Sequence, residues 1–427
     1  MADYFRIDGG HALHGTIAPM GNKNAALPLL AAALLTDEPL VVRNVPDIGD
    51  VRTKLALLES MGVSTSLEDN VCRLDARGVR DGNPDLALWS RIRTGVLLSG
   101  PLLARFGLAV IGRPGGDRIG RRRLDTHLLA LRGLGARIEE EAGLHVLRTE
   151  RLRGTELFLD EMSVTGTEQA ILAAVLADGT TTIANAAMEP HVQDLCHCLN
   201  AMGARISGIG THDLTIEGVI RLGGTDFTIG PDYTEVGSLI GLAAATGSHI
   251  RIENARPHEH RMTAIMFGRL GVRWDVDGDA VVVPAEQELT VVPDFGGAVP
   301  TIGDMPWPGF PPDLMSIAVV LATQSEGTVL IHEKMFEGRM VFTDRLIAMG
   351  ARIIPCDPFR AVVIGRSDLR GENLVSPDIR AGMALVIAAL AAKGESTIHN
   401  VGQIDRGYER LEQRLGGLGA HIDRLPE

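Results

Sequence analysis

Aromatic side chains are scarce in this chain, at 4% of residues, and cysteines number only four. With so few large rings, the cores must be filled by Leu, Ile, Val, Ala and Met. The cysteines are too few and too scattered for a disulfide framework: Cys72 and Cys356 stand alone, and one residue separates Cys196 from Cys198. Reduced thiols in a cytoplasmic protein are the expectation. The run Cys196-His197-Cys198 lacks a second ligand pair at zinc-like spacing, so no metal site is expected there. Long hydrophobic runs are missing as well. The longest, 25–35 and 381–392, hold about a dozen residues, which suits a buried helix and falls short of a bilayer. Residues 1–8 carry neither the basic start nor the apolar core of a signal peptide, and no membrane partner is expected. Positive charge is in deficit. The formal net charge is −13, and the one basic run has no interleaved aromatics, which together weigh against nucleic acid.

What the chain has in quantity is aliphatic residues, 45% hydrophobic over 427 residues. That is ample for two domains on a rough scale of ~150 residues each with wide latitude. An internal repeat sharpens the picture. A helix-like stretch ending in Leu/Met-Gly and followed by a β-prone pair recurs six times, with glycines at Gly62, Gly135, Gly203, Gly271, Gly350 and Gly419, 68 to 79 residues apart. Each glycine has the place of a helix C′ residue in the left-handed conformation, and the alternation after it, as in Ala351-Arg352-Ile353, reads as a strand. The first half of the unit repeats too: an apolar, alanine-rich helix, then a short strand and a turn carrying Asn44, Asn185, Asn254 or Asn400. Helices apolar nearly all round belong in a core. The expected architecture is α/β: three such units around a common axis put the buried helices inside and the sheets outside, and six units make two such domains. A cleft between two similar domains is the natural place for an active site.

One stretch reverses the overall charge. Residues 113–123 contain five arginines, Arg113, Arg118, Arg121, Arg122 and Arg123, around a single carboxylate, Asp117. Pro114, Gly115, Gly116 and Gly120 break helix and strand alike. A glycine-rich loop brings backbone N–H groups close to an anion, and guanidinium groups grip phosphate or carboxylate bidentately. A solvated surface loop is the alternative.

The motifs Gly21-Asn22-Lys23-Asn24-Ala25-Ala26-Leu27-Pro28, Pro114-Gly115-Gly116-Asp117, Ser163-Val164-Thr165-Gly166-Thr167-Glu168, Phe336-Glu337-Gly338-Arg339 and Ile404-Asp405-Arg406-Gly407-Tyr408-Glu409-Arg410 together resemble the enolpyruvyl transferases, and among them the cell-wall branch. The resemblance covers essentially the whole chain. It implies two inside-out α/β barrel domains of three repeated units each, one at 22–229 with a catalytic loop at 113–123, the other joining 1–21 to 230–427. It implies a reaction in which a sugar hydroxyl adds to C2 of phosphoenolpyruvate, C3 is protonated and phosphate is eliminated. The acceptor would be the 3′-hydroxyl of UDP-N-acetylglucosamine, and neither metal nor organic cofactor would be needed.

The site residues follow from the same resemblance. Lys23, Arg93, Arg122 and Arg406 match the phosphoenolpyruvate contacts, with Arg380 an addition. Each has a structural ion pair as its alternative. Asp313 matches the acid that binds and helps deprotonate the acceptor hydroxyl; a helix N-cap role suits it as well. Asp378 has the same N-cap alternative and is expected to orient neighbouring cations. Asn24, Asp125, His127, Ser163, Val164 and Thr165 match nucleotide-sugar positions, His127 being equally readable as a satisfied loop histidine. Arg339 completes the substrate-binding set. Asp117 stands where many members of the family carry a cysteine that the epoxide fosfomycin alkylates. As a general acid at C3 it would need a raised pKa in a closed site, and the chain is expected to be insensitive to that epoxide. Arg123, Thr126, Met315 and Gln403 depart from the usual pattern. Three readings therefore stand: transfer to UDP-N-acetylglucosamine, transfer to another nucleotide or sugar acceptor, and a catalytically silent paralogue that binds or regulates.

Overall fold

The computed structural model describes residues 3–427 apart from 113, 118 and 121. Three arginines of the cationic loop, Arg113, Arg118 and Arg121, thus lie outside the described residues. The chain divides into two compact units. Unit 1 comprises Met1–Met20, Arg118–Arg121 and Pro231–Glu427; unit 2 comprises Gly21–Asp117 and Arg122–Gly230.

Each unit carries three separate, open sheets among the described residues, and the sheets share one plan. In unit 1, for example, Thr301–Gly303 pairs in parallel with Gly327–His332, which pairs antiparallel with Arg360–Gly365, which pairs antiparallel with Ile353–Pro355. In unit 2, Glu156–Phe158, Thr180–Ala184, Leu214–Glu217 and Arg205–Ser207 repeat that order and polarity. The sheet of Leu108–Ile111, Leu144–Arg148 and Arg137–Glu141 has three strands instead of four.

The repeating glycines explain why the plan recurs. All six have positive φ, from 83° to 102°, and each ends a helix in the same hydrogen-bond pattern. The glycine N–H donates three residues back, and the next N–H donates five residues back, as in Gly62 to Glu59 and Val63 to Leu58. This is the Schellman ending, which satisfies orphan carbonyls and turns the chain sharply into the next strand. The same pair of bonds recurs after Gly135, Gly203, Gly271, Gly350 and Gly419. The repeated asparagines are left-handed too: Asn44, Asn185, Asn254 and Asn400 have φ between 49° and 61°, a conformation asparagine tolerates better than most residues. Asn44, Asn185 and Asn400 also donate from Nδ2 to Ile229, Leu159 and Ser376 carbonyls, all just beyond or at the end of the parallel edge strand.

The apolar helices form the cores. In unit 1, Tyr233–Thr246, Met315–Gln324 and Ile379–Ala391 pack on one another, and every residue of Met315–Gln324 is buried. Gly237 and Gly241 permit that closeness, since a Cβ on either would stand 2.6 Å from Leu314 or 2.3 Å from Ile317. In unit 2, Ser99–Phe106 packs on Val164–Ala174, with Gly100 against Gln169 and Ala173. Each fully buried Leu, Ile or Val contributes about 1.5–3 kcal/mol. No described helix is long and apolar enough to cross a membrane.

Candidate functional site

Lys23 opens the helix Lys23–Ala32. Asn22 caps it, its Oδ1 accepting from Asn24 N at 2.8 Å and Ala25 N at 3.1 Å. A cation at a helix N-terminus meets the positive end of the dipole, so the placement does nothing for the helix and needs a counter-charge. Asp50 supplies one: Lys23 Nζ lies 2.7 Å from its Oδ2, and both side chains are about nine-tenths buried. Asn24 is half-buried beside it.

Arg93 begins the turn Arg93–Leu98 and spends its donors on backbone. Nη1 donates to the Arg122 carbonyl at 2.8 Å and Nη2 to that of Arg123 at 2.7 Å. Burial, with help from the neighbouring Arg122 charge, pushes its pKa down to about 10. The glycines of the loop serve this packing. A Cβ on Gly115 would stand 2.1 Å from the Ser90 carbonyl, and one on Gly116, with φ 98°, would touch the Arg93 side chain at 3.0 Å. Asp117 follows directly and is half-buried.

Asp125 opens the helix Asp125–Gly133 and pairs with Arg123 at 3.1 Å in the open. Two residues on, His127 is buried, its Nε2 2.8 Å from Thr165 Oγ1. Burial first, then Arg93 and Arg122, push its pKa down to about 3, so the ring is neutral. Its Nδ1 has no hydrogen-bond partner among the described residues. Ser163 caps the helix Val164–Ala174, its Oγ accepting from Gly166 N. Unit 2 therefore brings together Arg93, Arg122 and His127, and His127 with Ser163, Val164 and Thr165 at a helix N-terminus that favours anions.

Unit 1 holds a second cluster. Asp313 does not cap the helix that follows it, since Met315–Gln324 has no side-chain cap. Its carboxylate instead lies between two arginines: Arg339 Nη2 donates to Oδ1 at 2.5 Å, and Arg380 reaches Oδ2 with Nε at 3.1 Å and Nη2 at 3.0 Å. Burial alone would lower the pKa of Arg380, but Asp313, Tyr408 and Asp232 hold it well above the ordinary arginine value. Arg380 Nη1 also meets Tyr408 Oη at 3.3 Å. Asp378 is an N-cap, its Oδ1 accepting from the backbone of Arg380 and Ala381. It fixes the turn from which Arg380 projects. Arg406 Nη1 donates to Gln403 Oε1 at 2.8 Å.

The unusual residues are accommodated locally. Gln403 serves Arg406, Arg123 serves Asp125, Met315 is buried in the core, and Thr126 Oγ1 donates to Asp160 at 2.7 Å. Sequence reasoning missed two buried ionisable residues of unit 2, Lys54 and Glu168. Lys54 is fully buried and donates to the Thr94 carbonyl, next to Arg93; burial pushes its pKa down to about 7. Burial, then Glu189, raise that of Glu168 well above the usual carboxylate range, opposed by Lys54. Glu168 in a helix whose residues from 166 to 174 are all buried was the available signal. The roles of Tyr408 and Asp50 gave none. Cys196 and Cys198 are buried in the helix Pro190–Ala201, which pushes both thiols up to about 12, as expected of inert structural thiols.

Comparison with known proteins then places the chain. The family described as EPSP synthase (3-phosphoshikimate 1-carboxyvinyltransferase) matches residues 7–415. A protein of Treponema denticola named UDP-N-acetylglucosamine 1-carboxyvinyltransferase is 55% identical over 98% of both chains, and one of Bradyrhizobium diazoefficiens with the same name is 54% identical over 99% of this chain and 98% of its own. Among solved structures, the enolpyruvyl transferase NikO from Streptomyces tendae superposes with a TM-score of 0.88 at 25% identity, covering 100% of this chain and 99% of its own. An EPSP synthase from Acinetobacter baumannii has the same fold, with a TM-score of 0.74 at 18% identity over 99% of this chain and 100% of its own.

Proposed function

The chain belongs to the EPSP synthase family of enolpyruvyl transferases, and from that premise we propose that it transfers the enolpyruvyl group of phosphoenolpyruvate to the 3′-hydroxyl of UDP-N-acetylglucosamine, releasing phosphate, as a step of peptidoglycan precursor synthesis. The observation that carries this reading is identity above 50% along the whole chain to proteins of that one activity. At the level of architecture, the reading takes the two units as inside-out α/β barrel domains, 22–229 and 1–21 plus 230–427, each of three repeats. It places the enzyme in the cytoplasm, where both substrates would be met.

The chemistry asks for two things, and each unit supports one. Phosphoenolpyruvate carries a phosphate and a carboxylate, so fixed cations must converge on it. Lys23 at a helix N-terminus and Arg93 with Arg122 are such groups in unit 2, and Arg406 is a further such group in unit 1. The acceptor oxygen must lose its proton as its bond to C2 forms. Asp313 takes that proton as the general base. Arg339 and Arg380 fix its direction. Asp117 gives a proton to C3 in the addition, and the elimination that follows returns a C3 proton and expels phosphate. Asn24, Asp125, neutral His127, Ser163, Val164 and Thr165 hold the nucleotide sugar, with the His127 Nδ1 and the helix N-terminus open to polar groups of the ligand.

The test is phosphate release with phosphoenolpyruvate and a panel of acceptors. Release that requires UDP-N-acetylglucosamine is the expected result. Release only with a different nucleotide or sugar would move the acceptor, and none with any acceptor would leave a silent paralogue.

A further inference from the structure

Apart from these residues, three metal-ligating side chains meet on the surface of unit 1. Asp8 and His421 are direct cross-strand partners of the antiparallel strands Asp3–Gly9 and His421–Pro426. His11 joins them because the chain folds back after Asp8. Gly9 passes so close to the helix Ile379–Ala391 that a Cβ there would stand 2.1 Å from the Ala389 carbonyl. Gly10 has φ 85° and donates to the Leu390 carbonyl at 2.8 Å. Neither position accepts a larger residue without strain, so the turn is fixed and returns His11 over the strand. His11 Nε2 then lies 3.1 Å from Asp8 Oδ2, and His421 Nδ1 lies 3.7 Å from the same oxygen. The two imidazole rings are 4.4 Å apart between centroids, and one ligand atom from each of the three residues falls within 4.8 Å of the others.

These spacings are those of a metal-ligand set. Ligand atoms on a tetrahedral ion with bonds of ~2 Å stand about 3.3 Å apart. Two imidazoles and a carboxylate suit zinc, copper or nickel, and suit calcium or magnesium poorly. We propose that Asp8, His11 and His421 form a surface site for a borderline divalent transition-metal ion, zinc in the first instance, with water completing the coordination. The ion would bridge the first strand, the turn after it and the last strand of the chain. Its role is that of a staple on unit 1 and is separate from the enolpyruvyl chemistry, which uses none of these residues.

The test is calorimetric titration of the metal-free protein with Zn²⁺, in a Cys356→Ser background because Cys356 is exposed, followed by the visible spectrum with Co²⁺. The site predicts saturable one-to-one binding, cobalt bands of a four-coordinate ion, and a rise in Tm with added zinc. His11→Ala and His421→Ala should each weaken binding by no less than the ~10- to 100-fold that loss of a supporting hydrogen bond costs, and both should abolish the rise in Tm. All three side chains are exposed, so the variants should fold and keep their turnover without metal. His212→Ala, an exposed histidine elsewhere, should bind as the parent does. Absence of one-to-one binding in the parent, or binding that survives both His11→Ala and His421→Ala, overturns the proposal.

Discussion

The two units hold their arginines in opposite ways. In unit 2, Arg93 donates to the carbonyls of Arg122 and Arg123. Those bonds engage its two Nη groups and neutralise nothing, Nε has no hydrogen-bond partner among the described residues, and its pKa falls because burial and Arg122 both oppose its charge. In unit 1, Arg339 and Arg380 close on the carboxylate of Asp313, and the pKa of Arg380 rises in spite of burial. Like charges pressed together are an arrangement that an incoming anion relieves. Opposite charges locked together are one that aims a carboxylate. The contrast teaches that the same residue type can be held in two ways, and under the proposed function these ways suit two tasks: receiving an anion in unit 2 and aiming a proton-handling acid in unit 1.

The sharpest way to test the contrast is to place a thiol at the edge of the crowded cations. Asp117→Cys should convert an enzyme insensitive to fosfomycin into one inactivated with time, because cations favour the thiolate and a carboxylate is a poor nucleophile towards an epoxide. Mass spectrometry should find the adduct on the new cysteine alone; equal alkylation of the parent would break the argument. Next in size is Asp313→Asn, which keeps the shape and loses the base. Its kcat should fall ~10²–10⁴-fold while phosphoenolpyruvate affinity changes little, as equilibrium binding and steady-state rates would separate. A variant with near-parental kcat would leave Asp313 only a positioning role.

Lys23→Ala and Arg406→Ala should each lower turnover by about 10²–10³-fold with an unchanged circular dichroism spectrum. Near-normal turnover at saturating substrate in either variant would remove that residue from the anion site.

Lys54 gives a pH-dependent effect on stability. Its folded pKa of about 7 lies below the model-peptide value of 10.5, so between those values the unfolded chain binds more protons. The Lys54 contribution to stability is therefore present above pH ~10.5 and lost as pH falls towards 7. Denaturant midpoints across that window should show a rise with pH in the parent that Lys54→Met lacks; parallel profiles would place a counter-charge next to the ammonium. The smallest effect belongs to Thr165→Val. It removes the partner of the buried His127 Nε2 at a cost of about 1–3 kcal/mol, readable as a lower Tm or weaker binding of the nucleotide sugar and leaving phosphoenolpyruvate affinity alone.

Much of the fold was legible because it rests on local chemistry repeated six times. A glycine after Leu or Met can be read as a helix ending without knowing anything distant, and Asn44, Asn185, Asn254 and Asn400 announce left-handed turns by residue type. Helices such as Ile379–Ala391 declare burial by lacking a polar face. The pairing within the site was not legible in the same way. Arg339 and Arg380 lie 26 and 67 residues from Asp313, and no local pattern joins them. The N-cap reading failed for Asp313 and held for Asp378 because Asp378 directly precedes its helix, whereas Asp313 lies inside the turn Pro312–Leu314 and Leu314 takes the N-cap position of the helix Met315–Gln324. Lys54 escaped notice because a lysine on an amphipathic helix is ordinarily solvated. Here it stands three residues after buried Val51 and four before buried Leu58, on the inward face.

The central claim, enolpyruvyl transfer by addition and elimination, is tested most directly by running the reaction in D₂O and weighing the product. If the acceptor adds to C2, C3 becomes a methyl group that takes one deuteron from solvent before a C3 proton or deuteron is lost with phosphate. The account predicts an enolpyruvyl ether of UDP-N-acetylglucosamine carrying deuterium in its vinyl group, formed one for one with phosphate. A vinyl ether free of deuterium, or phosphate released with no sugar product, would contradict it.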